Sequence, residues 1–72
     1  MSWQVDLYRK RDGRRIPIGS ARTLNDISTL TMQAIRNPMV NWAGEDYDIE
    51  RANKKGRDVW STFFGKWVRR GA

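Results

Sequence analysis

The sequence predicts an α+β fold in which two antiparallel hairpins form a small sheet and one amphipathic helix crosses a face of it, in the order ββαββ. Apolar and polar side chains alternate over residues 3 to 8 and again over residues 47 to 52, which is the period of half-buried strands. Residues 23 to 37 carry apolar side chains at the helical period. Because 72 residues bury only a modest core, we expect residues 1–72 to form a single small domain.

The first hairpin is predicted by the stretch WQVDLY, residues 3 to 8, followed by the turn signal Asp12-Gly13. If those two residues form the loop, Leu7 lies opposite Ile18. Pro17 then falls on the other face and has no N–H to donate, so we expect the second strand to be an edge strand. The residues that share the apolar face in this register are Trp3, Val5, Leu7, Ile16 and Ile18.

The helix is predicted by the stretch TLNDISTLTMQAIRNP, residues 23 to 38. Thr23 suits the N-cap position, and Asp26 places a carboxylate in the first turn, near the positive end of the helix dipole. Pro38 ends the helix, because the residue before a proline is pushed out of the α region. The apolar arc consists of Leu24, Ile27, Leu30, Thr31, Ala34 and Ile35.

A second hairpin is predicted around residues 53 to 56, where Asn at the first position and Gly at the fourth suit a tight turn. The C-terminal segment, residues 58–70, has two interpretations. Its apolar side chains fall within half of a helical wheel, with Asp58 as a cap, so it can form a helix. Its aromatic and β-branched composition equally suits a strand over 58–64, a bend at Gly65 and a short final strand. The pattern leaves strand or helix open.

The formal charge is +6, and it is divided into blocks. Residues 9 to 15 carry five basic side chains, residues 51 to 57 carry four, and residues 66 to 70 carry three. Residues 45 to 50, EDYDIE, carry four acidic side chains and no basic one. A basic excess favours a nucleic acid or an acidic protein surface as the partner. The acidic block favours the protein, because it repels a nucleic acid laid broadly across the domain.

The basic residues of the two hairpin turns are the candidate binding residues. Arginine forks match phosphates bidentately, so the first tip can be a phosphate clamp. The alternative is a solvated hairpin end whose charges protect an edge from aggregation. The second turn, taken alone, is typical of a solvated turn, but the two would form one patch if they lay at the same end of the sheet. The candidates are Arg9, Lys10, Arg11, Arg14 and Arg15 in the first tip and Lys54, Lys55 and Arg57 in the second.

The acidic block places Asp46, Asp48 and Glu50 on one face of a strand. Without His, Cys or a Gly-rich loop beside them, we expect these carboxylates to be solvated or to pair with the basic blocks, with a docking surface for a basic protein segment as the alternative, and we predict no metal site. Three of the four tryptophans lie within apolar patterns and are expected in the core. Trp42 stands in a loop with polar neighbours, so we predict that it is an exposed anchor for a partner.

Catalysis has little support in the sequence. The chain has no His and no Cys, and neither the phosphate-binding loop nor the dinucleotide-binding glycine pattern occurs. We therefore expect no enzymatic activity, no catalytic residue and no cofactor. The N-terminus lacks the apolar run of a signal peptide, and no window approaches the roughly 20 apolar residues of a membrane span, so we expect a soluble protein of the cytoplasm.

The order hairpin, helix, loop, hairpin, with ARTLNDI entering the helix and YDIER leaving the loop, resembles small bacteriophage proteins that disable or redirect host machinery. The resemblance is to two groups of such proteins: phage inhibitors of bacterial RNA polymerase, and anti-CRISPR proteins. The resemblance implies a stoichiometric, monomeric binder of a large nucleoprotein machine in the bacterial cytoplasm, with no chemistry of its own.

The expected function is thus a phage-type regulator that docks on bacterial RNA polymerase and alters host transcription, with nucleic acid a possible part of the same site. The alternatives are a free-standing DNA- or RNA-binding module and an anti-CRISPR protein that binds a guide-RNA effector complex.

Overall fold

A computed structural model of the protein describes residues 2–70. It has an α+β fold with one helix and a five-stranded antiparallel sheet of strand order β2-β1-β3-β4-β5. The elements are β1 (Trp3–Arg9), β2 (Arg15–Ala21), α1 (Leu24–Arg36), β3 (Tyr47–Asn53), β4 (Gly56–Ser61) and β5 (Lys66–Arg69). The observed order ββαβββ contains one strand more than the predicted ββαββ.

The first hairpin has a different register from the predicted one. Its loop holds four residues instead of two, because the N–H of Arg9 donates to the carbonyl of Arg14 at 2.7 Å and the N–H of Gly13 to the carbonyl of Arg9 at 2.8 Å. Leu7 therefore pairs with Ile16 and not with Ile18. A shift by two residues keeps the side chains on their faces, so the predicted apolar face survives.

A bulge between Val5 and Asp6 changes the register again toward the start of β1. Val5 pairs with Gly19 and Asp6 with Pro17, so Ile18 is the additional residue on β2. As predicted from Pro17, β2 is an edge strand.

The helix begins and ends where the sequence predicts. Thr23 is the N-cap: its side chain accepts from the N–H of Asp26, whose carboxylate accepts from the N–H of Thr23 in a reciprocal capping box. The helix ends at Arg36, two residues before Pro38. It lies over β2 and β1, where Ile27 packs with Val5 and Ala34 packs near Leu7.

The C-terminal segment follows the strand interpretation. Residues 62 to 65 form a turn between β4 and β5, with Gly65 at a φ of 65°. Trp60 pairs with Trp67 across these strands, and their rings meet edge to face at a centroid distance of 5.3 Å. Asp58 does not cap a helix, since its carboxylate pairs with Arg51 and Arg69.

The core differs from the prediction in its tryptophans. Trp42 is only 3 % exposed and packs with Leu7 and Ala34, so the prediction of an exposed Trp42 is wrong. The loop between α1 and β3 folds over the end of the sheet and buries the indole there. The three tryptophans expected in the core, Trp3, Trp60 and Trp67, are only partly buried.

Two faces and two ends of the sheet organise the surface. The covered face carries α1, and the open face lies opposite it. The upper end is the end at which β1 reaches Arg9, and the lower end is the other. No helix within residues 2–70 is long and apolar enough to cross a membrane.

Candidate functional site

The two basic turns lie at opposite ends of the sheet. β3 is antiparallel to β1, with Arg9 beside Tyr47 and Gln4 beside Ala52. The turn after β3, which holds Lys54 and Lys55, is therefore at the lower end, whereas the β1–β2 loop is at the upper end. The sequence left open whether the two turns form a single basic patch, and in the structure they do not.

Asp12 organises the β1–β2 loop. It accepts hydrogen bonds from Arg9 Nε at 3.1 Å and Arg9 Nη2 at 2.8 Å, and from the N–H of Arg14 at 3.0 Å. The Arg9 side chain first, and then the Arg14 N–H, lower the pKa of Asp12 from 3.8 to about 2. Arg9 also lies over the Trp42 ring at 5.1 Å, so its side chain holds the loop rather than reaching into solvent.

The acidic block lies directly against this basic loop. Lys10 Nζ is 3.7 Å from Asp46 Oδ1 and 3.6 Å from Asp48 Oδ1. Glu45 lies 3.4 Å from Arg11 and 3.7 Å from Arg9. Among residues 2–70, Arg14 is the one basic residue of the loop that forms no ion pair. The predicted pairing between the acidic and basic blocks is therefore present at the upper end.

Arg15 and Arg57 belong to neither tip in space, because both side chains turn to the open face. There they converge with Arg70 on Glu50, which is 0 % exposed. Glu50 accepts from Arg15 Nε at 2.6 Å, from Arg57 Nη1 at 3.0 Å and from Arg70 Nε at 2.8 Å. Arg57 also bonds Asp6.

The electrostatics of Glu50 explain why a carboxylate is tolerated there. Burial tends to raise its pKa, but the hydrogen bonds from Arg15 and Arg70 outweigh burial, and the net shift is downward. The carboxylate stays charged and offsets the positive charge of Arg15 and Arg57, which the sequence predicted as partner-binding residues. This arrangement supports a structural role for Arg15 and Arg57.

Lys54 and Lys55 are exposed at the lower end and form no ion pair within the described part of the chain. The N–H of Lys55 donates to Asn53 Oδ1 at 2.8 Å, which fixes the turn. The carbonyl of Lys55 accepts from Arg69 Nη1 at 2.8 Å. Within the described residues, these two lysines and Arg14 are the predicted site residues whose charge is not matched by an ion pair.

Phe63 and Phe64 were missed as candidate site residues. They occupy the turn between β4 and β5 at the upper end, with exposures of 89 % and 64 %. Their rings meet edge to face at 5.0 Å, and Lys66 Nζ lies 5.7 Å from the Phe64 ring. The sequence STFFGK, residues 61 to 66, carries the turn signals that could have located this pair. Ser61 accepts a hydrogen bond from the N–H of Phe64, and Gly65 takes the positive φ of a turn.

Comparison of the chain with known protein families, with curated proteins and with solved structures finds no match. Within residues 2–70 no group of three acidic, His or Cys side chains is placed to hold a metal ion. The upper end thus carries an exposed aromatic pair and, at the β1–β2 loop and the start of β3, charges of both signs. Such a surface can bind another macromolecule.

Proposed function

We propose that the protein is a non-enzymatic binding protein that docks on a partner protein through the upper end of its sheet. The observation that carries the proposal is the exposed Phe63–Phe64 pair, at the same end of the sheet as a basic loop whose charges are largely matched by acidic neighbours. Exposing two phenylalanines contributes nothing to folding, whereas aromatic side chains of this kind anchor protein interfaces. Bacterial RNA polymerase is the partner we propose first, on the resemblance in element order and the mixed charge of this surface.

The charge at the upper end favours a protein over a nucleic acid. Four basic side chains in the loop and its flank face four acidic ones, Asp12, Glu45, Asp46 and Asp48. Uncompensated basic groups bind a nucleic acid by displacing the cations condensed on its phosphates, and few such groups remain at this end. A protein surface of mixed charge can pair with both signs and close over the phenylalanines.

A second candidate function rests on the same residues. Two exposed rings with Lys66 beside them offer a platform on which single-stranded bases can stack. A guide-RNA effector complex, the partner implied by the resemblance to anti-CRISPR proteins, presents both a protein surface and single-stranded RNA. This candidate differs from the first in its salt dependence.

The test is a binding titration of the purified protein with bacterial RNA polymerase, with a guide-RNA effector complex, and with random-sequence duplex DNA and single-stranded RNA. We expect polymerase binding that persists through about 0.2 M salt, because buried apolar contacts are insensitive to counterion release. The F63A/F64A double variant is expected to weaken that binding by about 30-fold or more, equivalent to about 2 kcal/mol.

A matched pair of charge reversals separates the two ends of the sheet. Arg11→Glu with Arg14→Glu and Lys54→Glu with Lys55→Glu change the net charge equally, and all four side chains are exposed. We expect the first pair to weaken partner binding and the second to leave it unchanged. Nucleic-acid binding with a log–log salt slope near −0.9 per phosphate contact, without polymerase binding, would overturn the proposal in favour of a nucleic-acid module.

A further inference from the structure

The two edge strands of the sheet, β2 and β5, differ in how they are protected. A free edge presents unpaired backbone N–H and C=O groups, to which another strand can pair. β2 carries Pro17 and the bulge at Ile18 and lies against α1, so its edge resists such pairing. β5 has no proline and no bulge, and within the described chain β4 is the one strand that pairs with it. The edge of β5 is therefore the one that can accept a further strand.

The backbone of β5 shows which groups point to this edge. The N–H of Arg70 donates to the carbonyl of Arg57 at 2.9 Å, so these two residues form a hydrogen-bonded pair of the β4–β5 ladder. Such pairs alternate along an antiparallel ladder, so Val68 is also bonded to β4. The residues between them, Trp67 and Arg69, turn their N–H and C=O groups away from β4. An incoming strand thus meets two free donors and two free acceptors on this edge.

The side chains of β5 determine which strand fits. Trp67 packs against the core on the covered face, Val68 alternates to the open face, and both are only partly buried. Lys66 and Arg69 are exposed at the two ends of the strand, and β5 contains no acidic residue. A complementary strand therefore has two apolar residues in the middle and an acidic residue at each end. This pattern reads the same in both directions, so it suits parallel and antiparallel pairing.

The charge beside this edge is basic. Lys66 forms no ion pair within the described chain, and its amine lies 5.7 Å from an aromatic ring of the preceding turn. Arg69 pairs with Asp58, but Arg51 shares that carboxylate, so two arginines face one negative charge. The acidic block, residues 45–50, forms ion pairs of its own and lies on or just before β3. β3 is three strand spacings, about 14 Å, from an incoming strand, which exceeds the Debye length of about 8 Å at physiological ionic strength.

We propose that β5 accepts a strand of a partner protein, which extends the sheet by one strand and carries two apolar residues flanked by acidic ones. Backbone hydrogen bonds to Trp67 and Arg69 hold this strand, and acidic side chains facing Lys66 and Arg69 select it. A second copy of the chain fits less well, because its β5 brings further basic side chains to the same edge. The basic residues that hinder self-pairing thus favour an acidic strand. The inference uses the edge of β5 and not the Phe63–Phe64 turn, so it goes beyond the proposed function.

The probe is a synthetic peptide with blocked ends, TEVIET, whose four central residues have the complementary pattern. Binding is measured by NMR titration of the isotopically labelled protein, and hydrogen exchange is measured with and without saturating peptide. We expect the amides of Trp67 and Arg69 to exchange at least tenfold more slowly in the complex, because the incoming strand bonds them. The control peptide TKVIKT should bind at least tenfold more weakly.

Two N-methylated forms of the acidic peptide separate backbone pairing from side-chain contact. Successive N–H groups of a strand alternate between its two edges. One peptide is methylated on the first Glu and the Ile, and the other on the Val and the second Glu, so one of the two is blocked on the edge that faces β5. We expect that peptide to lose at least tenfold in affinity and the other to bind as the unmodified peptide does.

Two variants with the same change of charge locate the site. Lys66→Glu reverses a charge on β5, and Arg22→Glu reverses an exposed charge just after β2, at the opposite edge of the sheet. We expect K66E to weaken binding of the acidic peptide about fivefold or more and to strengthen binding of the basic one. R22E should change either affinity less than twofold, and the circular dichroism of both variants should match that of the wild type.

Four results would overturn the proposal. The first is unchanged exchange at Trp67 and Arg69 with millimolar acidic peptide, and the second is equal affinity of the two methylated peptides. The third is a dimer in sedimentation in which these two amides are already protected, which would assign the edge to a second copy. The fourth is loss of peptide binding in F63A/F64A, which would place the peptide on the turn. The polymerase titration depends on the turn, so it can fail or succeed independently of these results.

Discussion

Glu50 connects the two halves of the open face. Its carboxylate receives Arg15 from β2, Arg57 from β4 and Arg70 from the residue after β5. Arg15 and Arg70 also flank the Tyr8 ring, at 5.1 and 4.8 Å. One buried carboxylate thereby sets the positions of three arginines that are far apart in sequence.

Replacing Glu50 with Gln keeps the shape of the side chain and removes its charge. We expect a loss of about 3 kcal/mol in the free energy of unfolding, at the low end for a broken buried ion pair, because the arginines are partly exposed and can rehydrate. Asp46→Asn is the control, since Asp46 forms an exposed pair with Lys10, and should cost less than about 1 kcal/mol. Urea denaturation measures both, and equal losses would contradict the role of Glu50.

Asp12 provides a pH-dependent test of the β1–β2 loop. Its pKa is lowered from 3.8 to about 2, so its charge stabilises the folded state above pH 3.8 and that contribution is lost as the pH falls toward 2. Asp12→Asn keeps a side-chain acceptor for the Arg14 N–H and removes the charge. We expect the wild-type protein to melt at a higher temperature than D12N at pH 7, with the difference disappearing near pH 2. A difference that is constant over this range would show that Asp12 does not act through its charge.

At the scale of elements, local signals were reliable where one segment determines its own structure. Thr23, Asp26 and Pro38 predict the helix bounds because capping and proline geometry act within a few residues. The loop of the first hairpin was not predictable, since Asp12-Gly13 suits both a two-residue and a four-residue loop. The bulge at Ile18 has a local signal in Gly19, since a glycine inside a strand marks either a bulge or a close approach by another element, here α1 onto β2.

The packing of α1 onto β2 can be tested at Gly19. It has a φ of 140°, and a Cβ there would lie 3.0 Å from Leu30 Cδ2 of α1. Gly19→Ala should destabilise the protein by about 1–3 kcal/mol, through backbone strain and displacement of the helix. Gly44→Ala is the control, because a Cβ at Gly44 meets nothing within 4 Å and its φ is not positive. Urea denaturation of the two variants should give a lower free energy of unfolding for Gly19→Ala than for Gly44→Ala. Equal free energies would show that α1 does not need a glycine at position 19 to approach β2 closely.

At the scale of the whole molecule, the sequence predicted the charge blocks and their pairing better than the exposed anchors. Opposite charges were visible as runs, and pairing requires only that the strands bring them together. Exposure depends on which loop folds over which end, and the aromatic predictions failed for that reason. Trp42 was expected outside and is covered by Arg9, whereas the other three tryptophans were expected in the core and are only partly buried.

The uneven cover of the sheet predicts uneven protection from hydrogen exchange. β1 and β3 have hydrogen-bonded neighbours on both sides, and β1 also lies beneath α1. β5 is a four-residue strand at the edge of the sheet opposite β2 and α1, so fewer of its amides are bonded and less apolar surface holds it.

We therefore expect the amides of Val5, Leu7 and Ile49 to exchange only through global unfolding, and those of β5 to exchange at least about tenfold faster through local opening. Exchange followed by NMR at neutral pH measures both sets, and E50Q should raise the rates of the first set by the same factor as its loss of global stability. If β5 were as protected as β1 in the isolated protein, its free edge would have to be covered in solution, as pairing with a second copy would cover it, and local opening of β5 would be excluded.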